Sequence, residues 1–364
     1  MSFWKISASI YWSVEKNVPL FKPGDEPAFL IRATPPRDLR PALGEEVKQI
    51  RKILENYFKD KHSVEVLLPP DQEIILLNKI AYPDLGEEII VEGQVIGHRF
   101  FDLQSLQWRF KPLYAGVFKI IEKGIGYYAI IDLEKVSRNF IVHSSDVVKA
   151  SLPQRKGEYL AFETKNGLYQ GLGEKVAGRR FRVLKVWRKR RVFNIGKPNS
   201  WEVLIKANKE YLQNKREEAV SFLRKILEKH KITRNRIFVS FSGGKDSLVS
   251  LLISLRTFGR IPILFNDTGL ELPETVEYVE DIAKEYNLEL IKAEAGDAFF
   301  RALKVFGPPA RDYRWCCKII KLAPIREAIR KRFGEGLVLS IVGQRRYESL
   351  ARALSPRILS LIHI

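Results

Sequence analysis

The sequence predicts an α/β fold with a helix-covered parallel sheet at its C-terminal end. An α+β domain and a small β-barrel are expected ahead of it. Three observations carry this. From residue 236 onward, apolar strand-like runs at 237–241, 261–266, 288–292 and 337–342 alternate with helical patterns at 247–257, 273–286, 297–306 and 322–333, the signature of strands joined by crossover helices. Between about 138 and 192 the chain instead shows short strands separated by glycine turns, the pattern of a small barrel. Upstream, strand and helix patterns mix without alternating.

Residues 1–135 form the first predicted domain. Leu43, Val47, Ile50, Leu54 and Phe58 recur at helical spacing within 41–59, while 74–77, 89–91, 95–96 and 108–110 are strand-like, with Glu92-Gly93 as a turn. No catalytic constellation is visible there. The second predicted domain, 138–192, has strands at 141–142, 159–162, 167–173 and 181–186. It runs into a basic stretch of Arg179, Arg180, Arg182, Lys185, Arg188, Lys189, Arg190 and Arg191 with Trp187 interleaved. Such a stretch is a solvated face or a nucleic-acid contact. Lys197-Pro-Asn-Ser200 reads as a linker. A helix with Ala219, Phe222, Leu223, Ile226 and Leu227 on one side then opens the third domain, 200–364.

Composition bounds the partners. The 364 residues carry 62 Lys and Arg against 43 Asp and Glu, a net charge of +19, with 45% hydrophobic residues. That length suits two or three domains, and that charge suits anionic partners such as nucleotides or RNA. Two cysteines and one methionine, beside abundant Lys, Arg and Glu, fit a thermophilic protein. Adjacent cysteines make no disulfide framework, and no apolar run reaches membrane-span length. The expectation is a cytoplasmic protein without a membrane partner.

The chemistry centres on Ser240-Phe-Ser-Gly-Gly-Lys-Asp-Ser247, set between a strand and a helix. Adjacent glycines let backbone N–H groups close on an anion, the helix directs its positive end there, and Lys245 adds a full charge. Ser240, Ser242, Gly243, Gly244, Lys245, Asp246 and Ser247 are therefore the candidate phosphate cradle. Asp267, Thr268 and Gly269 follow the second strand, and Gly343-Gln-Arg-Arg346 follows the last. In a parallel sheet these clusters share one edge, where ligands bind. Asp267 and Thr268 would hydrogen-bond a ribose, position a phosphate or only cap the next helix.

These strings resemble known families. Ser-Gly-Gly-Lys-Asp-Ser resembles the signature of the adenine-nucleotide α-hydrolase (PP-loop) superfamily, which has a Rossmann-like sheet. Arg311-Asp-Tyr-Arg-Trp-Cys-Cys-Lys318 with Lys321 and Pro324, and Gly343-Gln-Arg-Arg-x-Glu-Ser-x-x-Arg352, resemble elements of archaeal phosphoadenosine phosphosulfate (PAPS) reductases and their relatives. Ser145-Asp-Val-Val-Lys-Ala150 with Lys156-Gly-Glu-Tyr159 and Gly171-x-Gly173 resembles the RNA-binding PUA domain.

The resemblance implies an adenine nucleotide (PAPS, adenylyl sulfate or ATP) in the cradle. Substrate sulfate or phosphate would be held by Arg314, Lys318, Arg345, Arg346, Glu348, Ser349 and Arg352. Cys316 and Cys317 would be redox groups or ligands of a [4Fe-4S] cluster, although such a cluster takes four cysteines; otherwise they are two small core side chains. Arg314 and Lys318 beside them suit a reactive thiol or a bound phosphate. The RNA candidates are Arg179, Arg180, Arg182, Arg188, Lys189 and Arg190.

Where similar proteins carry a Cys-x-x-Cys metal knuckle, this chain has Ser13 and Lys16, poor metal ligands. The reductases attack sulfur with a cysteine in a Glu-Cys-Gly-type segment near their C-terminus, which is absent here. Residues 359–364 look like read-through of an adapter, so a truncated gene model is expected. The leading expectation is an enzyme reducing an adenylated sulfate to sulfite with a thioredoxin-like reductant. The alternatives are an ATP- and Mg²⁺-dependent tRNA sulfurtransferase, or a non-catalytic RNA- or nucleotide-binding protein.

Overall fold

The computed structural model describes residues 8–358 apart from Arg191, Asn194, Arg311, Arg346, Tyr347, Ser349, Leu350, Ala351 and Ala353. Contacts divide the chain into two compact units, 1–211 and 212–364.

The first unit starts with a three-stranded antiparallel sheet of β1 (Tyr11–Ser13), β2 (Pro19–Leu20) and β3 (Ala28–Leu30), ordered β2-β1-β3. A five-stranded antiparallel sheet follows, β4 (Arg40–Pro41), β5 (Leu76–Lys79), β6 (Gly86–Val91), β7 (Gln94–Asp102) and β8 (Gln107–Pro112), in sequential order. Helices α1 (Gly44–Phe58), α2 (Lys61–Leu67) and α3 (Tyr114–Lys123) cover one face of it, where Ile50, Leu54, Leu77, Ile89, Val91 and Ile120 form one core. Trp12, Ile31, Ile74 and Ile90 form another on the opposite face. β6 is buried along its whole length because both faces are covered.

That burial extends to charges. Arg99 and Glu87 sit opposite each other on β7 and β6 and are 2% and 3% exposed. Arg99 Nε donates to Glu87 Oε2 at 2.8 Å and Nη1 to Gln49 Oε1 at 2.9 Å. Arg40 forks onto Glu46 at 2.7 and 2.6 Å and reaches Glu87 at 2.9 Å. The Arg40 hydrogen bond holds the Glu46 carboxyl down at about 2.

The glycine-punctuated region is a six-stranded sheet of β9 (Tyr128–Ile131), β10 (Ile141–Val142), β11 (Val147–Ser151), β12 (Tyr159–Thr164), β13 (Tyr169–Lys175) and β14 (Phe181–Arg188), ordered β10-β14-β13-β12-β9-β11. It draws in β9, which the sequence reading assigned to the preceding domain. The β9 pairing with β12 is parallel. Val142 on one edge and Val147 on the other pack into one core with Leu160, Phe162 and Phe181, so the sheet is strongly curled. Among the described residues no ladder joins β10 to β11. The PUA likeness thus remains one of sequence pattern.

Two local expectations change. Lys197–Ser200 is no loose linker: the Lys197 carbonyl accepts from Asn17 and Gln72 at 2.6 Å each, and Asn199, 4% exposed, caps the Ile74 N–H at 2.7 Å. An asparagine amide supplies the donor and acceptor that a buried strand end needs. The Ser13/Lys16 turn is closed by hydrogen bonds. Ser13 Oγ accepts from Lys16 N at 3.0 Å, Trp12 Nε1 donates to Asn17 Oδ1 at 2.9 Å, and Lys16 pairs with Glu26 at 2.8 Å.

Helix α4 (Trp201–His230) contains the division between the units. The second unit then alternates β15 (Ile237–Ser240), α5 (Lys245–Phe258), β16 (Ile263–Asp267), α6 (Pro273–Glu285), β17 (Leu290–Glu294), α7 (Ala298–Phe306), α8 (Trp315–Cys317), a π-helical turn Lys318–Leu322, α9 (Ala323–Phe333) and β18 (Leu339–Val342). All pairings are parallel and the order is β17-β16-β15-β18. Alternate residues serve the two faces. Ile237, Val239, Ile263 and Phe265 meet Leu223, Leu251, Phe258 and Val279, while Phe238, Leu264, Ile291 and Ala293 meet Ile325, Ile329 and Phe333. This is the predicted Rossmann-like sheet, with element ends displaced by no more than two or three residues.

Candidate nucleotide site

In this strand order the chain steps outward from β15 through β16 to β17 and returns on the other side of β15 as β18. The reversal lies between β15 and β18, and such switch points open a crevice beyond the strand ends. The turn after β15 is Phe241–Gly244, and the turn after β18 begins at Gly343.

The first turn is held by its own polar atoms. Ser247 Oγ donates to the Gly244 carbonyl at 2.8 Å, accepts from Ser242 N at 3.3 Å and meets Ser242 Oγ at 3.3 Å. Gly243 has φ +75°, open to glycine at little cost. Gly244 is the N-cap of α5, so the first N–H groups of the helix, which have no intrahelical acceptor, face out of the turn. Lys245 begins α5 with its side chain 63% exposed. Ser240 joins Ser340 on β18 at 3.0 Å, one layer below.

Gly343 brings the second turn hard against the first. A Cβ there would lie 2.4 Å from Asp246 O and 2.9 Å from Ser247 N. Arg345 then donates from Nε to Asp246 Oδ2 at 2.9 Å and contacts Glu348 Oε1 at 3.4 Å. Glu348 also pairs with Arg352, and Lys245 Nζ is 3.7 Å from Asp246 Oδ2. The carboxylates of Asp246 and Glu348 thus hold an array of cations at the crevice. Arg346 and Ser349, also expected here, lie outside the described residues, as do Arg311 and 359–364.

At the end of β16 the polar groups are turned onto their own loop. Asp267 Oδ1 accepts from Gly269 N at 2.9 Å, Thr268 Oγ1 donates to Glu271 at 2.9 Å, and Leu270 N reaches Thr268 Oγ1 at 3.3 Å. These are local turn bonds at the shared sheet edge. Asn266, not singled out from sequence, donates to Ile320 O at 3.1 Å and leaves a buried Oδ1 without a partner. It ties the π-helical turn to the same edge. A single asparagine in a strand pattern carries no signal of such a tether.

Cys316 and Cys317 are free, partly exposed thiols at the start of that turn. Arg314 Nη2 lies 3.5 Å from Cys317 Sγ, and Lys318 is exposed. The helix start is anchored by Trp315, which stacks on Phe299 at 5.5 Å and donates to Gly307 O at 3.2 Å. Among the described residues no three His, Cys, Asp or Glu side chains gather to hold a metal. With two cysteines in the chain, its own thiols do not complete a four-thiolate cluster.

The basic run is dispersed. Arg179 and Arg180 precede β14, while Arg188, Lys189 and Arg190 end or follow it, at the other end of a strand roughly 23 Å long at strand rise. Arg182 pairs with Glu174 and Lys189 with Glu163, both at 2.7 Å. Trp187 is half-buried, edge-on to Tyr114 at 5.8 Å. It packs inward, so the run does not offer the interleaved stacking platform expected of it. Arg191 is outside the described residues.

Comparison with known proteins agrees with the second unit's geometry. The model of the phosphoadenosine phosphosulfate reductase domain matches residues 236–360. An uncharacterized protein of Methanocaldococcus jannaschii is 32% identical over 373 residues, covering 95% of this chain and 75% of the relative. A second uncharacterized protein of that organism is 31% identical over 289 residues, covering 76% of this chain and 64% of the relative. Among the described residues no helix is long and apolar enough to cross a membrane. Domain match, parallel sheet and paired turns agree that the chain belongs to the PAPS reductase-like family of PP-loop proteins, a family whose substrate is an adenine nucleotide.

Proposed function

We propose that the second unit binds an adenylated sulfate and passes its sulfur to a thiol. The observation that carries this is the abutment of the two turns at Gly343, which sets the Ser242–Ser247 amides and Lys245 beside Arg345. Phosphate oxygens would sit over the α5 N-terminus and Lys245, and the sulfate end would sit toward Arg345 and Arg352. Planar guanidinium groups suit both anions through paired hydrogen bonds.

A thiolate attacking sulfur displaces the adenosine phosphate and forms an S-sulfo group. A thiol of a thioredoxin-like dithiol then attacks the thiolate's sulfur of that group, releasing sulfite and forming a mixed disulfide. The second thiol resolves it, so the dithiol is oxidised and the first thiolate returns. Where this chain supplies the nucleophile, it is Cys316 or Cys317. The guanidinium beside Cys317 Sγ is placed to hold a thiolate's charge. Incubation with PAPS or adenylyl sulfate and reduced thioredoxin tests this. Sulfite should form, and an S-sulfo adduct without reductant; neither product from either nucleotide would refute the proposal.

A second reading rests on the intact Ser-Gly-Gly-Lys-Asp-Ser turn. ATP with Mg²⁺ would occupy the same turn, Asp246 would help hold the metal, and a tRNA base would be adenylated for thiolation. Pyrophosphate release that requires tRNA would favour this reading over sulfate reduction. Nucleotide binding with neither product would mark a binding protein.

A further inference from the structure

The first unit contains a cleft that the nucleotide reading does not use. Its volume is about 720 Å³, and it runs between α1, the β7–β8 hairpin and the loop before β12. One wall is a single stripe of α1. Gln49, Lys52, Asn56 and Lys59 line it at spacings of three, four and three residues, so they share a helix face about 15 Å long at helical rise. The opposite side of α1 is spent on the core through Ile50, Leu54 and Phe58, and Ile53 lies between the two sides, at the cleft floor.

Charge in the cleft is one-sided. Five cations line it, Lys52, Lys59, Arg109, Arg155 and Lys156, against the carboxylates of Asp102 and Glu158, an excess of three. Both carboxylates are engaged. Asp102 accepts from Gln104 N, Ser105 Oγ and Arg109 at 3.0–3.3 Å, and Glu158 accepts from Arg155 N at 3.1 Å. Arg109 is also tied to Gly157 O at 2.6 Å. Among the described residues Lys52, Lys59, Arg155 and Lys156 have no ion-pair partner, and all four are exposed. They stand on both walls.

Between the cations lies a braced aromatic surface. Trp108 lines the cleft while the buried Arg99 guanidinium stacks 5.5 Å from its centroid and Phe101 packs edge-on at 5.7 Å. Leu106, 70% exposed, extends the apolar surface at the hairpin tip. Rigid indole plus flanking unpaired cations is the chemistry that holds an unstacked base and its adjoining phosphates.

We propose that this cleft binds single-stranded nucleic acid, with a base on Trp108 and the backbone along Lys52, Lys59, Arg155 and Lys156. It lies wholly within the first unit and stands whether or not the nucleotide reading holds. The dispersed basic run at 179–190 is not needed for it.

The test is fluorescence anisotropy of a labelled oligouridylate, its DNA counterpart and a duplex, titrated with the whole chain at several salt concentrations. Lys52→Glu with Lys156→Glu, both exposed, should weaken single-strand binding at least tenfold. That pair should also flatten the salt dependence by about 1.4 in log–log slope, at roughly 0.7 per phosphate contact. Trp108→Leu, with folding checked by circular dichroism, should weaken it by about five- to 150-fold. A charge-matched control on α4, Lys225→Glu with Lys229→Glu, should change it less than threefold. RNA and DNA strands binding alike would support the inference, as would a preference for either. No binding by the wild-type chain, equal loss in the control, or duplex binding that ignores Trp108 would overturn it.

Discussion

The crevice of the second unit and the cleft of the first are both cationic, yet they are built in opposite ways. At the crevice the backbone does the assembling. Parallel strands end together, the order β17-β16-β15-β18 places two turns side by side, and each turn delivers a contiguous run of functional residues. At the cleft the side chains do it. Gln49, Trp108 and Lys156 come from a helix, a hairpin and a loop, and the indole is braced by a buried arginine from another strand. The crevice should therefore tolerate changes that abolish binding without unfolding. The cleft rests on a buried charge network that should not tolerate change at all.

The largest effect expected from this contrast is on stability. Arg99→Ala takes away the closest cation of Glu87, which is 3% exposed, and leaves it to share Arg40 with Glu46. Removing one partner of a buried pair costs about 3–5 kcal/mol, so thermal melting should show a large loss. By contrast Lys245→Ala should leave melting unchanged. A melting point for Arg99→Ala equal to wild type would break the comparison.

Acid should act on the same network. Glu46 is held at about 2 against an ordinary value near 4.5. A depressed carboxyl contributes stability above its unfolded value, and that stability is lost as pH falls through the folded one. Denaturation midpoints should therefore drop between about pH 4.5 and 2. Glu46→Gln should flatten that drop while lowering the plateau. An unchanged pH slope in the variant would contradict the assignment.

At the crevice the expected losses are in binding. Gly343→Ala places a Cβ 2.4 Å from Asp246 O, so the turns must part, and nucleotide affinity should fall at least tenfold. Gly244, where a Cβ meets only Ser242 Oγ at 3.5 Å, is the milder site, and Gly244→Ala should lose less. The reverse ranking in a titration would show that the abutment is not what shapes the site. The smallest effect belongs to the exposed pair Arg182–Glu174, where Arg182→Ala should change stability by less than about 1 kcal/mol.

What the sequence disclosed follows the same division. Strands and helices after residue 236 were legible because the central strands β15 and β16 are largely buried and read as continuous apolar runs, and the helices read as 3.6-residue periodicities. The crevice was legible because its groups are consecutive: Ser242–Ser247 on one turn, Gly343 and Arg345 on the next. Helix α3 was missed although its apolar residues fall on one face, because it is only ten residues long and carries Gly116 in its first turn, a poor helix former. The very short strands β2 and β4 carry too little pattern to register. The clamp of Arg40, Glu46, Glu87 and Arg99 spans 59 positions of chain, and nothing local pairs Glu87 with Arg99 before the hairpin register is known. Asn199 was taken for linker because an asparagine beside proline signals a turn, whereas its amide closes a buried strand end.

An adenine nucleotide should bind at the abutting turns through the α5 N-terminus and Lys245. Isothermal titration of wild type and Lys245→Ala with PAPS, adenylyl sulfate and Mg²⁺-ATP tests it most directly. Saturable binding of at least one of them is expected. Lys245→Ala, its melting unchanged, should lose about ten- to 100-fold in affinity, as for a charge-assisted phosphate contact. No binding of any of the three, or equal binding by both proteins, would contradict it.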